Sequence, residues 1–255
     1  MSLCMSMHIG ISNRIVCVFL TKNPAMQDPL KLLGQQHSYD PDRILASARG
    51  EAYTAIMLAN GQIGICSSIG ARPEADPLDL DKPDLGNPDH RVIALAYANA
   101  VGNYGQDYPD SGDIFELIDF SLRKNNVMIG FFPPLVDKFR AAGIPVTIFD
   151  QHGDHPGLAP QERILEDIAV AGCVIMSSTT LINSTFPAII QAAGKGTEIL
   201  LLGPSTPLDP VMKKDYRVTR LFGMVFRPFD FELLGIIGKG SGTQTFSKRG
   251  KKVSL

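Results

Sequence analysis

Two loops and one short charged string hold the residues best suited to chemistry. Cys173 to Thr185 (CVIMSSTTLINST) and Glu198 to Pro207 (EILLLGPSTP) each begin as a solid apolar run and stop abruptly in Ser, Thr, Asn, Gly and Pro. A fully buried parallel strand reads this way where it surfaces into a loop. Two such exits side by side make a polar floor rich in hydroxyls, which suits holding an oxygen-rich ligand better than proton transfer. In the first, Ser177, Ser178, Thr179, Thr180, Asn183 and Thr185 offer donors and acceptors beside a helix start whose free N–H groups favour an anion, a carboxylate or a phosphate. Ser184 or Asn183 capping that helix is the plainer use of one or two of these groups. In the second, Gly203, Pro204, Ser205 and Thr206 form a stiff element, either a ligand contact or a turn before a short helix.

The string is Asp150-Gln151-His152-Gly153-Asp154-His155. Two imidazoles and two carboxylates within six residues could ligate a transition or heavy metal, so Asp150, His152, Asp154 and His155 are the metal candidates. A solvated polar loop is the alternative. The string half-resembles the H-x-H-x-D-H signature of metallo-β-lactamase-type hydrolases, but position 150 is Asp and no histidine follows His155. Phosphate-loop and dinucleotide patterns fail: Gly194-Lys195-Gly196-Thr197 and Gly238-Lys239-Gly240-Ser241 sit at helix ends, and the loop after the run Val127 to Phe132 is Phe-Phe-Pro-Pro. No G-x-S-x-G elbow occurs.

The elements that must position these loops alternate regularly. Apolar runs at 127–132, 146–149, 173–176, 199–202 and 221–226 are separated by helices at 134–142, 160–171, one ending near 193, one after Asp209-Pro210, and 230–237. Repeated strand-helix order predicts an α/β fold with a parallel sheet, helices on both faces and ligands at the carboxyl edge. Before it, Tyr53 to Ala59 and Gln62 to Ser67 flank Asn60-Gly61, a dipeptide suited to a hairpin turn with positive φ at both positions. Ile44 to Ala48 could add a third strand, and Asn87-Pro88 opens a helix ending at Gly102. The predicted division is therefore a smaller α+β domain over 1–106, an antiparallel meander plus helix, and a parallel-sheet domain over 107–255. The acidic, proline-rich stretch from Glu74 to Asp89 is expected to be an exposed loop.

Composition excludes several classes. The chain has 255 residues, 44% of them hydrophobic, and a formal charge of -2, so it lacks the basic excess that drives binding along nucleic acid. The Lys/Arg-rich end from Lys248 to Lys252 reads as a solvated tail. Cys4, Cys17, Cys66 and Cys173 are widely spaced and read as reduced core residues. With no stretch as long as a membrane span and no signal-peptide pattern, the expected location is the cytoplasm, with room for a homo-oligomer.

The order VMIGFFPPLV (127–136), TTLINST (179–185) and LLGPSTPLDP (201–210) resembles the domain-of-unknown-function family named for heavy-metal chelation. The likeness spans about Val127 to Phe246, with a weaker one over the Tyr53 to Gly64 hairpin and Ala98-Asn99-Ala100. The resemblance implies a Rossmann-like C-terminal domain, an N-terminal domain like that of enolase, and a cleft between them. Asn99, Thr180, Asn183, Thr185, Gly203, Ser205 and Thr206 are the positions that match the family's motifs. It further implies handling of a small anionic or heavy-metal-bearing ligand, with a link to metal chelation or anaerobic cobalamin synthesis. Two other readings stay open from the residues: an enzyme with a nucleotide-type cofactor whose ribose hydroxyl meets Asp150, and a hydrolase with a metal-activated water at His152.

Overall fold

The computed structural model describes residues 26–108, 112–151, 153 and 155–255, and comprises two sheets joined through one continuous apolar core. Helix α1 (Pro29–Gln36) is capped by Asp28 and leads into an antiparallel sheet of β1 (Ile44–Arg49), β2 (Tyr53–Leu58) and β3 (Ile63–Ser67). Helix α2 (Pro88–Gly102), capped by Asn87, lies on one face of that sheet. Alternation in β2 sends Ile56 and Leu58 toward α2 and Ala55 and Met57 to the opposite face.

The hairpin forms where expected, with a different turn. Only Gly61 takes positive φ, at 84°, and Leu58 exchanges backbone bonds with Gln62 and Gly61, so three residues make the loop. A tighter two-residue turn would need positive φ at Asn60 as well; instead Asn60 Oδ1 accepts from the Gln62 amide at 3.2 Å and holds a type I turn closed by a left-handed glycine. From Glu74 to Asn87 the only regular element is a 3-10 turn at Pro77–Asp79, and Arg49 pins the stretch through the carbonyls of Glu74 and Ala75 and the Asp76 carboxylate.

The second sheet begins after helix α3 (Ile114–Leu117), which has a complete capping box from Asp113 and Glu116. Its order is β5-β4-β6-β7-β8-β9. The strands are β4 (Asn126–Ile129), β5 (Val146–Phe149), β6 (Cys173–Ser177), β7 (Glu198–Leu202), β8 (Arg220–Phe226) and β9 (Gly250–Ser254). The first five pair in parallel and β9 is antiparallel to β8. Helices α4 (Pro133–Ala142), α5 (Ile164–Ala169), α6 (Phe186–Ala192) and α7 (Pro210–Tyr216) are the crossovers. Side chains alternate strictly: Val127, Val174, Met176, Ile199 and Leu201 face α6, α7 and α2, whereas Met128, Ile175 and Leu200 face α3 and α4. Helix α8 (Phe231–Gly238) returns to cover the free face of the first sheet through Leu233 and Ile237, and α9 (Thr243–Phe246) follows it.

Two expectations need correction. The predicted helix 160–171 is a 3-10 turn at Gln161–Arg163 running into the short α5, because Pro160 holds an extended backbone (ψ 134°) and no side chain caps the start. The basic end is not a solvated tail. It is the edge strand β9, with Lys251 and Lys252 exposed and Val253 and Ser254 buried. Charged lysines on an edge also protect it from pairing with another chain.

Arg249, at the entry to β9, makes two bonds to Asp230, the N-cap of α8, at 2.9 and 2.6 Å. Burial alone would raise the Asp230 pKa, but Arg249, the Leu233 amide and Arg227 outweigh it and hold the carboxyl below its ordinary value. Asp209, the N-cap of α7, is likewise held low against its burial by His37, 2.8 Å away, and by the Val211 amide. A carboxyl with a depressed folded pKa stabilises above its unfolded pKa, and that stability is lost as pH falls through the folded value. The melting temperature should stay level from pH 7 to about 5 and drop below about 4. Asp230→Asn should flatten this acid limb in melts followed by circular dichroism; an acid limb identical to wild type contradicts the assignment.

Cys66 and Cys173 are buried and free. Burial raises the pKa of both thiols, that of Cys173 to about 12, so neither is a thiolate at neutral pH. Cys4 and Cys17 lie outside the described residues. No helix among the described residues is long and apolar enough to cross a membrane.

Candidate functional site

The chain leaves β4 for β5 on one side and then crosses back to β6 on the other, so the strand order reverses between β4 and β6. Crevices outside the carboxyl ends at such a reversal are where ligands bind in open α/β sheets. Register places the two polar exits together as expected, with Ser177 at the end of β6 opposite Leu202 at the end of β7. Ser178 Oγ donates to the Leu202 carbonyl at 3.4 Å, and Gly203 is at φ 133°, a backbone that a side chain would strain.

The Ser/Thr loop is fixed from below by Leu181, Ile182 and Phe186, all buried. That anchoring turns Ser177, Thr179, Thr180, Asn183 and Thr185 into a single cleft of about 80 Å³, shared with Asp150, Gln151 and Gln161. Its polar groups are largely bonded to each other. Thr179 Oγ1 donates to Ser177 Oγ at 2.8 Å, Thr180 Oγ1 to the Ser177 carbonyl at 2.7 Å, and Thr185 Oγ1 to Asn183 Oδ1 at 2.7 Å. With three threonine protons spent inside the network, the cleft presents oxygen lone pairs more than donors. The anion-binding helix start anticipated here is weak: α6 is seven residues long, Pro187 removes one N–H in its first turn, and Asn183 Oδ1 takes the Thr185 amide.

Among the metal candidates, Asp150 Oδ2 accepts the Phe131 amide at 2.7 Å, and the His155 ring lies flat on Phe131 with centroids 4.0 Å apart. His152 and Asp154 lie outside the described residues. Among the described residues no three His, Cys, Asp or Glu side chains gather as a metal cage. Asp150 and His155 are thus occupied in tying the loop after β5 to the loop after β4.

The other half of the predicted floor divides. Gly203 and Pro204 line a second, larger cleft of about 680 Å³ on the far side of the Phe131-Phe132 loop. Ser205 and Thr206 instead plug into the first sheet: Ser205 Oγ accepts the Ser67 amide at 2.8 Å, and Asn99 Nδ2 donates to both the Ser205 and Ile65 carbonyls at 3.0 Å. Asn99, Ser205 and Thr206 are buried and line neither cleft. They are the joint between the sheets.

The loop after β4 also differs from expectation. The strand ends at Ile129, so Gly130 falls in the loop with φ 98°, and a methyl there would lie 2.8 Å from Ser177 Cβ. Only glycine lets the two loops meet at the reversal. Beyond it, Pro133 and Pro134 occupy the first turn of α4, which has no side-chain cap. Two prolines delete two of the N–H donors on which a cofactor pyrophosphate would rest, which weighs against the nucleotide reading.

One residue that positions the site escaped the sequence reading. Arg91, near the start of α2, spends all five N–H groups: Nε on the Ile182 carbonyl at 2.9 Å, Nη1 on Asp28 and the Leu85 carbonyl, and Nη2 on Asp28 and the Leu181 carbonyl. It therefore grips the backbone in the middle of the Ser/Thr loop. An arginine directly before the apolar run from Val92 to Ala98 was the available signal.

Two solved structures share this architecture, each titled as a protein of unknown function from the DUF364 family. The one from Pyrococcus horikoshii has a TM-score of 0.73 at 20% identity, over 89% of this chain and 97% of the other. The one from Desulfitobacterium hafniense DCB-2 has a TM-score of 0.64 at 18% identity, over 88% and 96%. These likenesses establish the shared fold. No curated protein matches the chain. The sequence profile described as "DUF364: Putative heavy-metal chelation" matches residues 113–255, more than half of the chain, and the protein belongs to that family.

Proposed function

We propose that this protein binds a metal ion carried by a small oxygen-rich ligand, in the smaller cleft at the β4/β6 reversal. The observation that carries the reading is the convergence there of Ser177, Thr179, Thr180, Asn183 and Thr185 with Asp150 and Gln151. A wall of oxygen lone pairs with committed protons favours a cation or a donor-bearing ligand over a bare anion. In this reading the metal is cargo that arrives with donors of its own, and the cleft holds it through its carrier. Asn99, Ser205 and Thr206 act in this reading by holding the sheets in register, not by touching ligand. The family's label for heavy-metal chelation agrees with it.

Calorimetric titration with nickel(II)–citrate tests the proposal. Wild type should bind one equivalent, and more tightly than citrate alone. Thr179→Val and Asn183→Ala should each weaken binding by about tenfold, the worth of one hydrogen bond accepted from a water carried by the metal ion. Absence of heat with both nickel(II)–citrate and cobalt(II)–citrate, or full affinity in both variants, sinks the reading.

A further inference from the structure

The larger cleft has a different character from the polar one and stands independently of the reading above. Its walls are apolar, with Phe131, Phe132, Leu202, Phe222 and Met224 contributing. At about 680 Å³ it is the size of a small-molecule site. Tyr53 and Thr243, joined by a 2.7 Å hydrogen bond, close it on the side of the first sheet.

Charge selects the ligand. Lys138 and Lys252 both line this cleft, and they share one counter-ion: Asp113 Oδ1 is 2.7 Å from Lys138 Nζ and Oδ2 is 3.5 Å from Lys252 Nζ. Asp113 is further engaged by the Phe115 amide at 3.0 Å, as N-cap of α3. Although burial pushes its pKa up, the Lys138 hydrogen bond, the Phe115 amide and the two lysine charges hold it below its ordinary value, so it is ionised at neutral pH. Among the side chains that line the cleft, two ammonium groups face one carboxylate; Glu116, whose Oε2 accepts the Asp113 amide at 3.1 Å, stands behind Asp113 and does not line the cleft. Each ammonium also has three donors, more than its one Asp113 oxygen satisfies.

We propose that this cleft is a second binding site, for an organic acid with an aromatic or branched apolar body, whose anionic group bridges Lys138 and Lys252 while its body packs on Phe132 and Phe222. A metal ion is disfavoured by the two lysines in the lining. Electrostatic attraction orients the acid and apolar burial retains it.

Fluorescence titration of the full chain tests this with 8-anilinonaphthalene-1-sulfonate, which carries one anionic group on an aromatic body, and with neutral N-phenyl-1-naphthylamine. The anionic probe should saturate at one equivalent. Lys138→Gln combined with Lys252→Gln should weaken it tenfold or more, while the neutral probe changes by less than twofold and Thr179→Val affects neither. Leu202→Glu, which sets a carboxylate in the wall, should abolish binding of the anionic probe. Equal losses for both probes in the lysine variant, unchanged affinity for the anionic one, or uptake of several equivalents would overturn the proposal. Because the Thr179 variant reads the other cleft, failure of one site is distinguishable from failure of the other.

Discussion

Replacing Arg91 with alanine is expected to cost about 3–5 kcal/mol of stability, since removing one partner of a buried ion pair strands the rest of its network. For a chain of this size that corresponds to a fall in melting temperature of roughly 6–20 °C. The loss has three parts. The Leu181, Ile182 and Leu85 carbonyls lose their charged donor, Asp28 loses its counter-ion, and a cavity opens beneath the Ser/Thr loop. Asp28 is about a third exposed and also caps α1, so water recovers part of its share. Arg91→Lys should recover only a fraction, because a single ammonium cannot reach acceptors arranged around a planar fork. Hydrogen exchange separates a local from a global effect: amides from Thr179 to Thr185 should exchange faster than those of β4 and β6, with nickel(II)–citrate binding weakened in parallel. An alanine variant within about 1 kcal/mol of wild type would show that the clamp is dispensable.

The strands of the second sheet were legible because each is a buried apolar run punctuated by proline and glycine, and five of its six follow that pattern. The sixth did not, and the reason is physical. An edge strand exposes one side, so β9 reads Gly-Lys-Lys-Val-Ser and its two lysines look like a tail until Val253 and Ser254 are seen packed behind β8. Strand order was hidden as well. That β4 lies between β5 and β6 depends on which way each crossover turns, and the cleft exists only because of that reversal. Within TTLINST, residue type marked the polar positions but not their partners: Thr179 and Asn183 face the cleft, while Ser205 and Asn99, equally polar in sequence, spend themselves on the joint between the sheets. A hydroxyl looks the same in sequence whether it awaits a ligand or satisfies a backbone amide.

Gly64→Ala should also be strongly damaging. A methyl at Gly64 would sit 2.1 Å from both the Ala96 carbonyl oxygen and the Ala100 amide nitrogen, and 2.7 Å from the Asn99 carbonyl carbon. These are backbone atoms of α2, so no side chain can swing aside. Strand β3 and α2 would have to part until the contact reached van der Waals distance, and the expected loss is about 3 kcal/mol or more, at the upper end for overpacking. The effect should not stay local, because α2 carries Arg91 under the Ser/Thr loop at one end and Asn99 against Ser205 toward the other. Chemical denaturation of Gly64→Ala beside Gly34→Ala makes the test specific. Gly34 is exposed within α1 with nothing within 4 Å of an added methyl, so alanine there should be neutral or stabilise by up to about 1 kcal/mol. If the two substitutions shift the midpoint alike, close packing of β3 on α2 is not what fixes that helix on the first sheet.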